Sequence, residues 1–538
     1  MNHSISAESQ GTTSFPDSVR RLKVIRQRRR TQFGRAVFVG AASGLIAVAF
    51  QASLYHAEEL RGSVIGWIRT EIGSFGWIVP MVFSAFLGSV AVYLTRRYAP
   101  EASGSGIPHL KGVLMNVRKM NWIRILLVKF TGGLMAIGAG FSLGREGPTV
   151  QMGAAAGKMV SMIVKARPRE RKHLLACGAG AGLAAAFNAP LAGFIFVIEE
   201  LQRDLSPITY GTALIASVMA DIMTRTLIGE APAFHLQGFP MVPLTGLPYI
   251  AVLGVLVGYL GALFNRSLLY VQAFNAHSSM KTTIQRTALV GALVGLGTWF
   301  IPLAVGSGHG TVETILAGQS EWTNIVKLGA FLLLSKWCLT VLSYGTGLPG
   351  GIFAPMLVLG AITGVLFTEL VTLILPSAPL NPSSVGLIGM AAFFTATVRA
   401  PLTGIILILE MTGNYHQLFP LLVVCMTAYI TSERLRSKPI YDALLEADLQ
   451  RQGVFREGQS EVAAFEVTVE PESRVCGKQV HKAGFPNGCL LISIKRGHRE
   501  LIPHGSTIIE PGDELTLVVS TDEPDAYGSV LTMCRAGW

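Results

Sequence analysis

The chain has 538 residues, 50% hydrophobic and 14% charged, with a mean hydropathy of +0.47 and a net charge of +11. Soluble proteins carry about 25% charged residues, so the composition excludes an ordinary soluble protein and predicts a polytopic membrane protein with modest soluble ends. The basic residues gather at the edges of apolar runs (Arg20 to Arg35, Lys165 to Lys172, Arg434 to Lys438), which argues against nucleic-acid binding and predicts a cytoplasmic N-terminus by the positive-inside rule.

Residues 1–19 are rich in Ser, Gly, Thr and Pro and predict disorder; residues 1–32 read as a disordered, basic, cytoplasmic arm without a cleavable signal pattern. Apolar segments follow at roughly 36–55, 76–95, 122–139, 149–164, 174–187, 190–201, 208–228, 247–272, 287–304, 325–343, 352–375, 384–397, 401–411 and 417–432. Several fall short of the ~20 residues of a perpendicular span and others exceed it. That unevenness predicts tilted and broken helices rather than a bundle of uniform spans.

An internal repeat organises these segments. Gly178–Glu200 aligns with Gly389–Met411: Ala189-Pro190-Leu191-Ala192-Gly193 falls on Ala400-Pro401-Leu402-Thr403-Gly404, and Glu199 on Glu410. Gly144 to Pro148 falls on Gly351 to Pro355. Duplicated halves with breaks at matching positions are a transporter signature, and they place the site between the halves. The predicted halves are about 33–228 and 247–436, within a membrane domain spanning 33–441. Residues 442–463 read as a polar linker. Beyond it, Phe465, Val467 and Val469 alternate, residues 490–494 suggest a buried strand, and Glu510-Pro511-Gly512-Asp513 suggests a turn. Residues 464–538 thus predict a small, mostly-β α+β cytoplasmic domain. The six cysteines show no metal-ligand, redox or disulfide spacing.

Three Gly-rich breaks precede apolar helices: Gly104-Ser105-Gly106-Ile107-Pro108, Gly144-Arg145-Glu146-Gly147-Pro148 and Gly351-Ile352-Phe353-Ala354-Pro355. Pro is tolerated in a first helical turn, and Gly lets the backbone approach a ligand. The free N–H groups and positive dipole end of each helix make an anion site. One helix end contributes at most ~2 kcal/mol, far less than the cost of dehydrating a buried ion, so several ends must converge. Ser105 adds a neutral hydroxyl donor. Glu146 is a carboxylate at membrane depth, where insertion alone costs ~2.5–3.5 kcal/mol. An ionised carboxylate carries a halide's charge and can occupy the same helix-end site, so Glu146 can block the path and open it on protonation. A plain helix-capping glutamate is the other reading. Glu199, matched by Glu410, suits a structural role; Glu200, matched by Met411, is the asymmetric acid.

The ordered set Gly-Ser-Gly-Ile-Pro, Gly-Arg-Glu-Gly-Pro and Gly-Ile-Phe-Ala-Pro resembles the three signature motifs of the CLC chloride channel and transporter family, over about Phe33 to Tyr441. The resemblance implies an all-α polytopic membrane fold of two inverted repeats and a homodimer with one pore per subunit. It implies chloride binding by Ser105, by the backbone amides of Ile352 and Phe353, and by the Tyr441 hydroxyl. It implies gating and external proton transfer by Glu146, and internal proton transfer by Glu200. Family channels usually lack an acid at the position of Glu200, so a chloride/proton antiporter, with two chlorides per proton, is expected over a passive voltage- or pH-gated chloride channel. Serine at position 105 goes with chloride selectivity in the family, proline with nitrate. The tail departs from the family's usual pair of CBS modules; Ser473 to Lys478, Ile494 to Gly497, Ile502-Pro503 and Glu510 to Asp513 resemble the TrkA C-terminal (RCK-C) domain, which implies dimerisation and a small regulatory ligand, a bare stability module being the alternative. No cofactor, metal or enzymatic activity is expected, since no His-Glu-x-x-His occurs. The expected location is a bacterial inner membrane with both termini cytoplasmic.

Overall fold

A computed structural model describes residues 15–203, 207–229, 240–276, 278–317, 325–452, 462–497, 499–520 and 524–534. Contacts divide the chain into two compact units, Met1–Leu445 and Glu446–Trp538.

The first unit is helical. Its helices are α1 (Phe15–Glu71), α2 (Ile78–Tyr98), α3 (Ile107–Leu114), α4 (Trp122–Gly138), α5 (Glu146–Ile163), α6 (Pro168–Phe187), α7 (Pro190–Phe196), α8 (Pro207–Leu227), α9 (Leu247–Ala276), α10 (Met280–Phe300), α11 (His309–Leu316), α12 (Ile325–Gly345), α13 (Phe353–Ile374), α14 (Pro382–Val398), α15 (Pro401–Thr412), α16 (Leu418–Arg434) and the first half of α17 (Ile440–Arg451), which runs past the boundary at Leu445. Among the described residues, five helices are long and apolar enough to cross a membrane, within α1, α2, α9, α12 and α13. The others are shorter or lie inside the protein: α5 buries most of its length, and α3 and α11 are half-length pieces.

Two expectations at the edges of this unit need correction. Residues 15–32 are not disordered but form the start of α1. Their Arg, Lys, Gln and Leu residues are good helix formers and no proline follows Pro16. The expected polar linker is helical over 442–451 as part of α17, because Leu444, Leu445 and Leu449 recur at helical spacing and are buried. Residues 1–14 and 453–461 lie outside the described residues.

The repeat sets the packing. α5 crosses α6 where Gly153 and Gly178 meet: a Cβ on either would run into the other's carbonyl oxygen. The aligned pair Gly360 and Gly389 does the same for α13 and α14. Small residues let membrane helices approach to backbone contact, where dispersion and polar contacts replace a hydrophobic driving force. The ends of α7 and α15 are tied reciprocally. Glu199 accepts from the amides of Leu402 (3.1 Å) and Thr403 (2.7 Å) and from the Thr403 hydroxyl (2.7 Å). Glu410 accepts from the amides of Leu191 (3.0 Å) and Ala192 (2.7 Å). Each carboxylate therefore caps the other half's helix, where orphan N–H groups and the dipole favour negative charge.

In the second unit, strands β1 (Val462–Thr468), β2 (Cys489–Arg496), β3 (Arg499–Leu501) and β4 (Glu514–Ser520) form an antiparallel sheet in the order β1-β4-β2-β3, with helix α18 (Pro524–Cys534). Val467, Val469, Val475, Ile494, Leu515, Leu517 and Val530 build its core. The turn at 510–513 has Gly512 at φ 84°, and Arg496 clamps it through two hydrogen bonds to Asp513 (2.8 and 2.9 Å) and an ion pair with Glu510. The cysteines are free thiols, and burial pushes the Cys534 thiol up to about 11, which makes it an inert core group.

Candidate functional site

Backbone hydrogen bonds bring the three breaks together. The Gly104 amide donates to the Leu348 carbonyl (3.1 Å), and the Gly350 amide to the Gly104 carbonyl (3.0 Å). Gly144 and Gly351 exchange both amide–carbonyl bonds at 2.7 Å. The third break is thus stitched to the first and second, and the starts of α3, α5 and α13 converge. Glycine is required for this closeness: a Cβ on Gly351 would lie 3.0 Å from the Gly147 amide, and one on Gly147 would lie 2.9 Å from the Ser105 Cβ. Gly104 and Gly106 also sit at φ 62° and 81°, where a side chain is strained.

Glu146 lies at this junction with no solvent exposure. Its Oε2 accepts from the Ala354 amide at the start of α13 (3.3 Å), and its Oε1 faces His309 Nε2 at 3.7 Å. The carboxylate thus sits on a helix N-terminus of the other half, in the place an anion would take. Ile352 and Phe353 lead into α13, both fully buried. The Phe353 ring packs between Phe187 and Phe394, with centroids at 5.2 and 4.5 Å, an apolar wall beside the amides. Ser105 is fully buried; its hydroxyl accepts from the Ile107 amide (3.4 Å) and is hydrogen-bonded to Tyr344. The Tyr344 hydroxyl abuts Gly104.

Tyr441 and Glu200 form a second group. Tyr441 is fully buried, and among the described residues its hydroxyl has no hydrogen-bond partner, an arrangement that marks a place for an acceptor. Glu200 is 2% exposed in a π-helical turn, Val197–Gln202, that continues α7; such turns recur at functional sites. Lys111 of α3 donates to Glu200 (2.8 Å) and pairs with Asp442, the residue after Tyr441; Asp442 also binds Arg203 (2.7 Å). The buried acid is therefore linked by ion pairs to the start of α17. Sequence reading singled out Glu200 but not Lys111 or Asp442.

The sequence reading also missed a second Gly-Ser-Gly. Gly306-Ser307-Gly308 precedes α11 as Gly104-Ser105-Gly106 precedes α3, both second glycines are left-handed, and both helices run eight residues. Two fully buried lysines serve these turns: Lys129 donates to the carbonyls of Ala102 (2.8 Å) and Gly104 (2.6 Å), and Lys336 to that of Gly306 (2.8 Å). Each lysine thus ties down carbonyl oxygen at its turn. The duplicated tripeptide was the available signal. Among the described residues, no group of three or more His, Cys, Asp or Glu side chains is placed to hold a metal ion.

Comparison with known proteins gives the relatives. The family model for the voltage gated chloride channel matches residues 87–433, and the TrkA-C domain model matches residues 464–527. The H(+)/Cl(-) exchange transporter ClcA of Vibrio parahaemolyticus is 38% identical over 423 residues, covering 77% of this chain and 89% of that protein. The protein of the same name from Klebsiella pneumoniae is 37% identical over 461 residues, covering 84% and 96%. A crystal structure of a slow cyanobacterial Cl-/H+ antiporter superposes with a TM-score of 0.74 at 36% identity, over 78% of this chain and 99% of that one. A CLC-type fluoride/proton antiporter shares the fold at 22% identity, with a TM-score of 0.65 over 77% and 97%.

Proposed function

The chain belongs to the voltage-gated chloride channel (CLC) family with a C-terminal TrkA-C domain, and from that membership and the site's geometry we infer that it is a proton-coupled chloride antiporter. The observation that carries this reading is the Glu146 carboxylate on the Ala354 amide, where the breaks meet. A chloride there would be held by the same neutral donors: the first amides of α13 and the Ser105 hydroxyl, with Tyr441 supplying a further hydroxyl. Dipoles without a fixed cation bind an anion firmly enough to dehydrate it and loosely enough to release it.

The ionised Glu146 and chloride compete for one place. A proton on Glu146 removes its charge and its hold on the amide, so the side chain leaves and the anion path opens. The neutral acid then passes its proton inward and, ionised again, returns to the amide. Glu200 is the internal acceptor, buried and held by Lys111 beside Tyr441. This alternation moves protons against chlorides, in the ratio of one to two. The basic clusters put both termini in the cytoplasm, the chain works as a homodimer in a bacterial inner membrane, and the TrkA-C unit binds a small regulatory ligand. The exchange named for the two ClcA relatives and for the cyanobacterial antiporter supports this assignment over a passive channel, as does an acid at position 200.

Proteoliposomes test it. An imposed chloride gradient should drive uphill proton movement, and Glu146→Gln should abolish that movement while chloride still flows. Passive chloride flux without protons in the unaltered protein would make it a channel.

A further inference from the structure

His309 is the first residue of α11, placed by the second Gly-Ser-Gly turn. Its side chain is 22% exposed, whereas Glu146 is fully buried, and its Nε2 lies 3.7 Å from Glu146 Oε1. The ring lies parallel to Phe187, with centroids 6.5 Å apart and an interplanar angle of 19°. In the aligned first half the same position is Ile107, so the packing of the turn does not require an imidazole. We propose that His309 is the proton relay between solvent and the gating carboxylate.

The inference rests on the antiporter reading and adds the route by which Glu146 is protonated. In this relay one ring nitrogen takes a proton from water and Nε2 gives its proton to Oε1; Glu146 becomes the neutral acid, and the imidazole returns to its uncharged form in the other tautomer. A ring flip restores the starting state, and the reverse sequence discharges the acid. The 3.7 Å separation is closed by a side-chain shift of under about 1 Å or by one bridging water, as is common before a donor engages its acceptor. The charged groups around the pair are Arg145 before α5, Lys336 on α12, Glu58 and Arg61 on α1, and beyond them Tyr441. Arg145 and Lys336 repel a proton resting on the ring, and the ionised Glu146 attracts it, so the charge moves toward the gate.

The test compares His309→Phe and His309→Gln, alone and with Glu146→Gln, in proteoliposomes across external pH. General acid–base groups contribute about 10²–10⁴-fold; part of this route can be taken over by water, so coupled turnover should fall about tenfold or more in both single variants. The loss should be steepest on the alkaline side, where protons are scarce. The ratio of chlorides to protons should stay unchanged, and added imidazole should restore turnover to His309→Ala. In the Glu146→Gln background the His309 substitutions should leave chloride flux unaltered. Unchanged turnover and pH profile in His309→Phe would overturn the relay, and so would equal slowing of chloride flux in the Glu146→Gln background, which marks a structural role. Proton transport by Glu146→Gln alone would instead overturn the antiporter reading, whatever His309 does.

Discussion

The two halves of the membrane unit share their scaffold and differ in their chemistry. Gly153 and Gly178 in the first half match Gly360 and Gly389 in the second, Lys129 matches Lys336, and Glu199 and Glu410 cap each other's helices. At the site the match fails where the titratable groups stand. Glu146 stands where the second half has Phe353, Glu200 where it has Met411, and Ile107 where it has His309. Duplication supplies converging helix ends; titratable groups present in one copy only supply direction.

The largest effect expected from this comparison is on folding. Gly153→Val and Gly360→Val each push a side chain into a facing backbone, which no rotamer change relieves, at a cost of about 3 kcal/mol or more. Both should fail to give a monodisperse protein on size-exclusion chromatography, and a well-behaved variant at one position would show that the two crossings are not equivalent. Next is the unmatched acid. Glu200→Gln should reduce proton movement to background while chloride flux persists, measured by simultaneous pH and chloride electrodes. Normal coupling in that variant would remove Glu200 from the proton path. The smallest effect separates Glu199 from its neighbour. Glu199→Ala loses three accepted hydrogen bonds and Glu410→Ala two, so thermal unfolding should report losses of about 3 and about 2 kcal/mol, with the chloride-to-proton ratio unchanged. A changed ratio in either would dissolve the division between scaffold and chemistry.

Much of this was legible in the chain. The breaks announce themselves because Gly and Pro cluster where one apolar run stops and the next begins, and Glu146, beside Arg145, is an acid between two such runs. The matched Glu199 and Glu410 were readable as structural, though not as reciprocal caps, since capping across 200 residues is a tertiary fact. Other features were hidden for physical reasons. Lys129 and Lys336 look like ordinary interruptions of apolar runs until the carbonyls they bind are in place. Lys111 and Asp442 look like surface charges near helix ends, and only the fold buries Lys111 and links both to Glu200. His309 follows a turn whose likeness to the first Gly-Ser-Gly is only a tripeptide long, and α11 is too short to carry an apolar signal.

Crystallography with bromide tests the central claim most directly, using the unaltered protein at alkaline pH beside Glu146→Ala. Competition for one place predicts anomalous density at the Ala354 amide in the alanine variant, and none there in the unaltered protein, where the carboxylate holds that amide. Bromide bound at Ala354 alongside an unmoved Glu146, or missing from the helix ends in both crystals, would contradict it.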